Sequence, residues 1–270
     1  MDKAWTYFLR GWTFYLYSKK DANAEARRLY RQAIRLKPDF ARAHADLAYS
    51  LLHAWIYKWD PAVTLDEVQK HIRRALKIDE NYYYNHWILA AYHLYCRNHD
   101  LAAATYDKAL ALARRQAIPE EMGALRVDRA EMLMFSGDAA AAVKEARAVI
   151  DGMGHAPERW YYWVLGWALY ENGRYRESLK VLANIANPRN NIRKSVIASH
   201  VALRQMDEAR RHAALFLKEE KMHGVTYRPK ERSVVPALHS VEDRLPYKNP
   251  DRHARWKAHL AEAFEGLRQS

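Results

Sequence analysis

Thirteen histidines, a single cysteine and 32 acidic residues are the groups from which this chain could build a reactive or metal-binding site. His86 and His93 are seven apart and share one helix face, but no acidic residue or cysteine at useful spacing completes a ligand set with them. A zinc-protease pair of histidines flanking a glutamate is missing. Gly152 and Gly154 have no Lys-Ser/Thr after them and no strand before them, so they read as a helix-terminal turn rather than a phosphate cradle. Cys96 stands beside Arg97 and near His99 without a nucleophile–base–orienter arrangement. Glu120 and Glu121 follow Pro119 and suit the first turn of a helix, where carboxylates favour the dipole. The expectation is a chain with no catalytic residue, no metal ligand set and no cofactor, and so not an enzyme.

The residues with a chemical use that remain are aromatic, and their chemistry is contact. Trp160, Trp163, Trp167 and Tyr170 recur at i, i+3, i+7 and i+10, and Trp5, Phe8, Trp12 and Tyr15 repeat the same spacing. Both rows have a glycine just before the third ring, Gly11 and Gly166. Tyr84, Trp87 and Tyr95 form a third group, and Tyr49 stands in the segment between. In the Trp160 segment, Tyr162, Leu165 and Leu169 already make an inward-facing stripe. A helix apolar on two faces is either buried all round or holds a guest. These twelve rings are therefore the candidate lining of a binding groove. Rings so placed suit the anchors of a peptide, a boxed cation or small ligand, or stacked bases.

Such rings need helices to carry them, and the composition supplies helices. Gly and Pro number only nine each, too few to punctuate an all-β chain, while Ala, Leu, Arg, Lys and Glu fill long stretches. With one cysteine no internal disulfide forms. No apolar run approaches the roughly 20 residues of a membrane span, and Arg10 interrupts the aromatic N-terminal stretch, so a signal peptide is not expected. A cytoplasmic location is the corresponding expectation. The net charge of +12 keeps nucleic acid and anionic surfaces among conceivable partners. Arg27, Arg28, Arg31 and Arg35 are instead expected to coat the solvent side of one helix.

A small–bulky–small trio recurs through the chain: Ala26, Tyr30, Ala33; Val68, Ile72, Ala75; Ala102, Tyr106, Ala109; Ala142, Ala146, Val149; Ser178, Leu182, Ile185; and Ala209, Ala213, Phe216. Their last members are spaced by 42, 34, 40, 36 and 31 residues, scattered about the 34-residue tetratricopeptide period. Each trio falls on the second helix of an expected pair. The first helices carry Leu47-Ala48, Leu89-Ala90 and Leu165-Gly166, small residues that let a neighbour approach, and Gly137 and Gly173 fall at turns that favour a left-handed residue.

On these residues the sequence resembles the tetratricopeptide repeat family over about six repeats, residues 4 to 220. More narrowly, Ala4 to Leu51 and Leu245 to Arg268 look like the repeat regions attached to bacterial class III adenylate cyclases and to winged-helix transcription regulators. The fold expected is all-α, a right-handed superhelical solenoid of about six helix-turn-helix repeats with a C-terminal capping helix. Residues 1–220 would form the array, 221–250 a basic, Pro-containing connector and 251–270 the cap, in one continuous domain. Asp251 is the expected N-cap of that last helix, with Trp256, Leu260, Phe264 and Leu267 on one face. The resemblance implies a module of bacterial signalling that binds a protein or peptide. A small-molecule sensor coupled to an output domain is the alternative, and nucleic-acid binding ranks below both. Arrays of this family also self-associate through their ends, which adds a homodimer to the expected forms.

Overall fold

The computed structural model describes residues 2–17, 19–154, 156–222, 243–265 and 267. Thirteen helices account for the regular structure among these residues, and no strand occurs among them. The connector expected over 221–250 falls mostly on residues 223–242, which lie outside the described residues.

The chain divides into two compact units, Met1–Leu125 and Arg126–Ser270. The first contains α1 (Lys3–Tyr15), α2 (Lys20–Leu36), α3 (Ala41–Ile56), α4 (Leu65–Ile78), α5 (Tyr83–Tyr95) and α6 (His99–Arg115), paired as α1–α2, α3–α4 and α5–α6. The boundary falls within α7 (Pro119–Ser136). The second unit continues with α8 (Ala139–Asp151), α9 (Arg159–Glu171), α10 (Tyr175–Leu182), α11 (Asn190–Ala202), α12 (Met206–Met222) and α13 (Pro250–Glu265). In it α9 pairs with α10 and α11 with α12, and α13 packs on α11 and α12.

The helices start where side chains satisfy their free amides. Asp2 Oδ1 accepts from the Ala4 N–H at 2.9 Å, Thr64 Oγ1 from Glu67 at 3.2 Å and Asp138 Oδ1 from Ala141 at 2.9 Å. At α13 the cap is Asn249, not Asp251: its Oδ1 accepts from the Asp251 N–H at 2.8 Å, which puts Pro250 at the first helical position, where its missing N–H costs nothing.

The hairpin turns share one device. Lys58, Arg97, Gly137, Gly173 and Arg204 all have positive φ, between 52° and 105°. At each, the left-handed residue bonds back three residues and its successor bonds back five: Gly173 N–H to Tyr170 O at 3.0 Å and Arg174 N–H to Leu169 O at 2.9 Å, for example. The same two bonds close the turns at Lys58, Arg97, Gly137 and Arg204. These are Schellman caps, which end α3, α5, α7, α9 and α11 and aim the following helix of each back along it.

What holds a pair together is the trio. All eighteen trio residues are buried, none above 5% exposure. The glycines of the first helices meet them directly. A Cβ at Gly11 would fall 2.8 Å from the Tyr30 ring, and one at Gly166 would fall 2.6 Å from Leu182. Burying each large apolar member stabilises the pair by about 1.5–3 kcal/mol. One expectation fails in α2. Arg28 and Arg31 are exposed, but Arg27 is buried and pairs with Asp60 at 2.9 Å, because it stands one turn from buried Asn23 on one side and buried Tyr30 on the other.

Candidate binding groove

In the first unit α1, α3 and α5 pack in series, α1 on α3 and α3 on α5. Helix α1 spends Ala4, Phe8 and Gly11 on packing, with Gly11 against Tyr30 of α2. A second face remains. Trp5, Leu9, Trp12 and Leu16, at i, i+4, i+7 and i+11, are 42%, 47%, 45% and 58% exposed. Four large apolar side chains in one row along one short helix and its C-cap are more than the scattered exposure ordinary surfaces show. Trp5 borders α3 through Phe40, at 4.7 Å between ring centroids, and Phe8 lies buried beneath, 5.0 Å from the same ring.

Helix α3 adds a row with charge at one end and aromatic character at the other. Arg42 Nε lies 3.1 Å from Asp46 Oδ2, its Nη1 donates to Tyr82 Oη at 2.8 Å and its guanidinium sits 3.6 Å above the Tyr84 ring. Tyr84 donates its hydroxyl to Asp46, and Tyr83 donates to Glu121. Burial raises the Asp46 carboxyl, and the neighbouring Arg42 opposes the rise. At the other end Tyr15, Tyr49 and His53 are half-buried and cluster: Tyr15 stacks on His53 at 5.6 Å, while Tyr49 meets Tyr15 at 5.8 Å and His53 at 4.5 Å with tilted rings. Burial lowers His53 to about 4, so it is neutral near pH 7 and shares its Nδ1 with the Tyr15 hydroxyl at 3.2 Å. From α5, Tyr84 and Trp87 are buried, with ring centroids 5.6 Å apart, and Tyr95 is half-buried.

In the second unit the row on α9 divides. Trp160 and Trp163 are half-buried; Trp160 donates to Glu158 at 3.0 Å, and Trp163 packs against the core cluster of Leu182, Ile185, Ile192 and Val196. Trp167 and Tyr170, by contrast, are 4% and 0% exposed. Trp256 of α13 stacks on Trp167 at 4.9 Å and meets Tyr170 edge-on at 5.2 Å. Trp167 Nε1 donates to Tyr247 Oη at 3.2 Å, Tyr247 donates to Glu171 at 2.6 Å and Arg255 closes on Glu171 at 2.8 Å. Half of the expected lining on α9 is thus a seat for the chain's own C-terminal segment. Beside it, Tyr175, Arg204, Arg255, His259 and Glu262 line an open depression of about 160 Å³, below the roughly 300 Å³ at which pockets for drug-sized ligands begin.

Of the histidine pair weighed in the sequence, His86 has its Nε2 2.7 Å from Glu80 O. A different set converges in the second unit: His200 of α11 with Glu208 and His212 of α12, their ligand atoms all within 4.8 Å of one another. The Glu208-x3-His212 spacing was its visible signal in the sequence, and His200 joins it only across the hairpin.

No protein-family model matches the sequence, and no curated protein matches it. Among solved structures, one of PilF from Pseudomonas aeruginosa is 14% identical, over 83% of this chain and 93% of that one, with a TM-score of 0.53. TTC0263, a thermophilic TPR protein of Thermus thermophilus, is 15% identical over 95% of this chain and 98% of that one, with a TM-score of 0.36. Serial helical hairpins, buried trios, Schellman turns and the likeness to PilF together give this chain the tetratricopeptide-repeat fold.

Proposed function

We propose that this chain is a non-enzymatic interaction module that takes a protein or peptide segment onto the aromatic face of its first unit. The observation that carries the reading is the exposed row Trp5, Leu9, Trp12 and Leu16, on α1 and its C-cap, next to Tyr15 of the Tyr15–Tyr49–His53 cluster, on a helix whose packing needs are already met by Ala4, Phe8 and Gly11. Rows of this spacing accept the apolar anchors of a helix or an extended segment. The net charge of +12 favours an acidic partner and speeds its approach. The polar end is built to orient rather than to react: Arg42, Asp46, Tyr84 and Glu121 satisfy one another and present a fixed charge pattern.

The proposal extends to a partner-binding arm of an output domain in bacterial cytoplasmic signalling, a role supported by the resemblance at Ala4–Leu51 and Leu245–Arg268. The test is capture with the full chain, comparing wild type with Leu9→Glu and Trp12→Glu. Both positions are exposed, so both variants fold. The reading expects a protein bound by wild type and lost from both variants. It fails if the bound protein is retained by both, or if wild type retains only oligonucleotide or small metabolites.

A further inference from the structure

The triad in the last hairpin of the second unit has the donor set of a metal site. Glu208 and His212 stand four apart on α12 and so share a face. The Schellman turn at Arg204 folds α12 back on α11 and sets His200 against them, its ring stacked on that of His212 at 5.6 Å and 19°. Gln205 Oε1 lies 2.8 Å from His200 Nδ1. An amide oxygen only accepts, so Nδ1 carries the hydrogen and Nε2 keeps its lone pair. Such an orienting bond is what metal-ligating histidines carry. On His212, Nε2 faces Arg211 Nη2 at 3.1 Å. A guanidinium only donates, so this nitrogen too holds a lone pair, while His212 Nδ1 is buried and has no hydrogen-bond partner.

Arg211 is the cation now held by these groups. Its Nη2 is 2.7 Å from Glu208 and its side chain is 59% exposed, so it leaves at little cost, because ion pairs this exposed are weak. Two imidazole nitrogens and one carboxylate satisfy a divalent metal better than they satisfy a single guanidinium. The neighbouring Arg193 has its own partners, Pro188 O at 2.8 Å and Glu219 at 3.8 Å.

We propose that His200, Glu208 and His212 bind a divalent transition ion, Zn²⁺ foremost, in exchange for Arg211. Two nitrogens and one oxygen suit that ion, and the fourth tetrahedral position is left to water. The bound ion ties α11 to α12 across the final hairpin. This inference does not rest on the peptide-binding reading.

The test titrates the full chain with Zn²⁺ by calorimetry and with Co²⁺ by visible absorption, alongside His200→Gln, Glu208→Gln and His212→Gln. His71→Gln serves as the control at a different histidine pair, His44–His71. The expected result is one ion per chain, a four-coordinate Co²⁺ spectrum, loss of both in all three ligand variants and retention in His71→Gln. Gln205→Ala weakens binding about tenfold to a hundredfold, and Arg211→Ala tightens it. Metal-free melting temperatures equal to wild type establish that the variants fold. The proposal is overturned by no stoichiometric binding, by binding that survives both histidine substitutions, by loss in His71→Gln, or by weaker binding in Arg211→Ala.

Discussion

Gly166 lies beneath Leu182 so closely that a Cβ there would sit 2.6 Å from the leucine Cγ and Cδ2, and Gly11 stands in the same relation to the Tyr30 ring at 2.8 Å. Both partners are middle members of the recurring trio and both are buried, so neither can swing away. The small residue of one helix and the bulky residue of the next are one packing unit.

Gly166→Ala is therefore expected to destabilise the second unit by about 1–3 kcal/mol, the usual cost of forcing a methyl into a full core. Alanine's better helix propensity works in the opposite direction and is smaller. Gly154→Ala, where a Cβ meets nothing within 4 Å, is the matched control and stays near neutral. Denaturant midpoints at constant slope decide between them.

The left-handed turn residues give a second test. Lys58 has φ 52° and Gly173 has φ 74°. Lys58→Gly relieves a strained side chain and is expected to raise stability by about 0.5–1 kcal/mol, whereas Gly173→Ala lowers it by about 1–2 kcal/mol. Opposite signs at two turns of the same form would be read from urea titrations.

Rows of identical spacing behave differently on α1 and α9. Trp167→Ala removes a ring that is 4% exposed and stacked on Trp256, and is expected to cost about 3–5 kcal/mol. Trp12→Ala removes a ring that is 45% exposed and changes stability by less than about 0.5 kcal/mol. Thermal melts of the two variants distinguish a packed ring from one open to a partner.

Glu131 provides a pH signature. Burial, reinforced by Asp128, raises its carboxyl from 4.5 to about 8. The folded chain then holds a proton that the unfolded chain releases above pH 4.5, so this group's contribution falls as pH rises from about 4.5 to 8. His53 and His71, both lowered to about 4, act the other way and cost stability as pH falls below about 6.5. Comparing Glu131→Gln with wild type across this window isolates the glutamate: the variant's advantage should grow with pH and level off above about 8.

The trios and the turn glycines were legible in the sequence because they are local. A helix pair closes within some 34 residues, its packing face repeats at helical spacing, and a Schellman turn needs one left-handed residue at a fixed offset. Val68, Ala102 and Ala209 could be placed in the core without knowing what surrounds them. The same reasoning could not separate Trp167 from Trp12, whose local contexts match. That difference comes from Tyr247, 80 residues further on, and from Trp256. Arg27 reads as solvated because its charge is visible in the sequence and its partner Asp60, beyond the next helix, is not. His200, Glu208 and His212 escaped for a related reason. Spacing along one helix joins two of them, and the third arrives only when the Arg204 turn folds α12 onto α11. Sequence thus determined the repeating unit, whose energetics are local, and tertiary structure decided which rings stay open and which donors converge, because both depend on what the chain returns to cover.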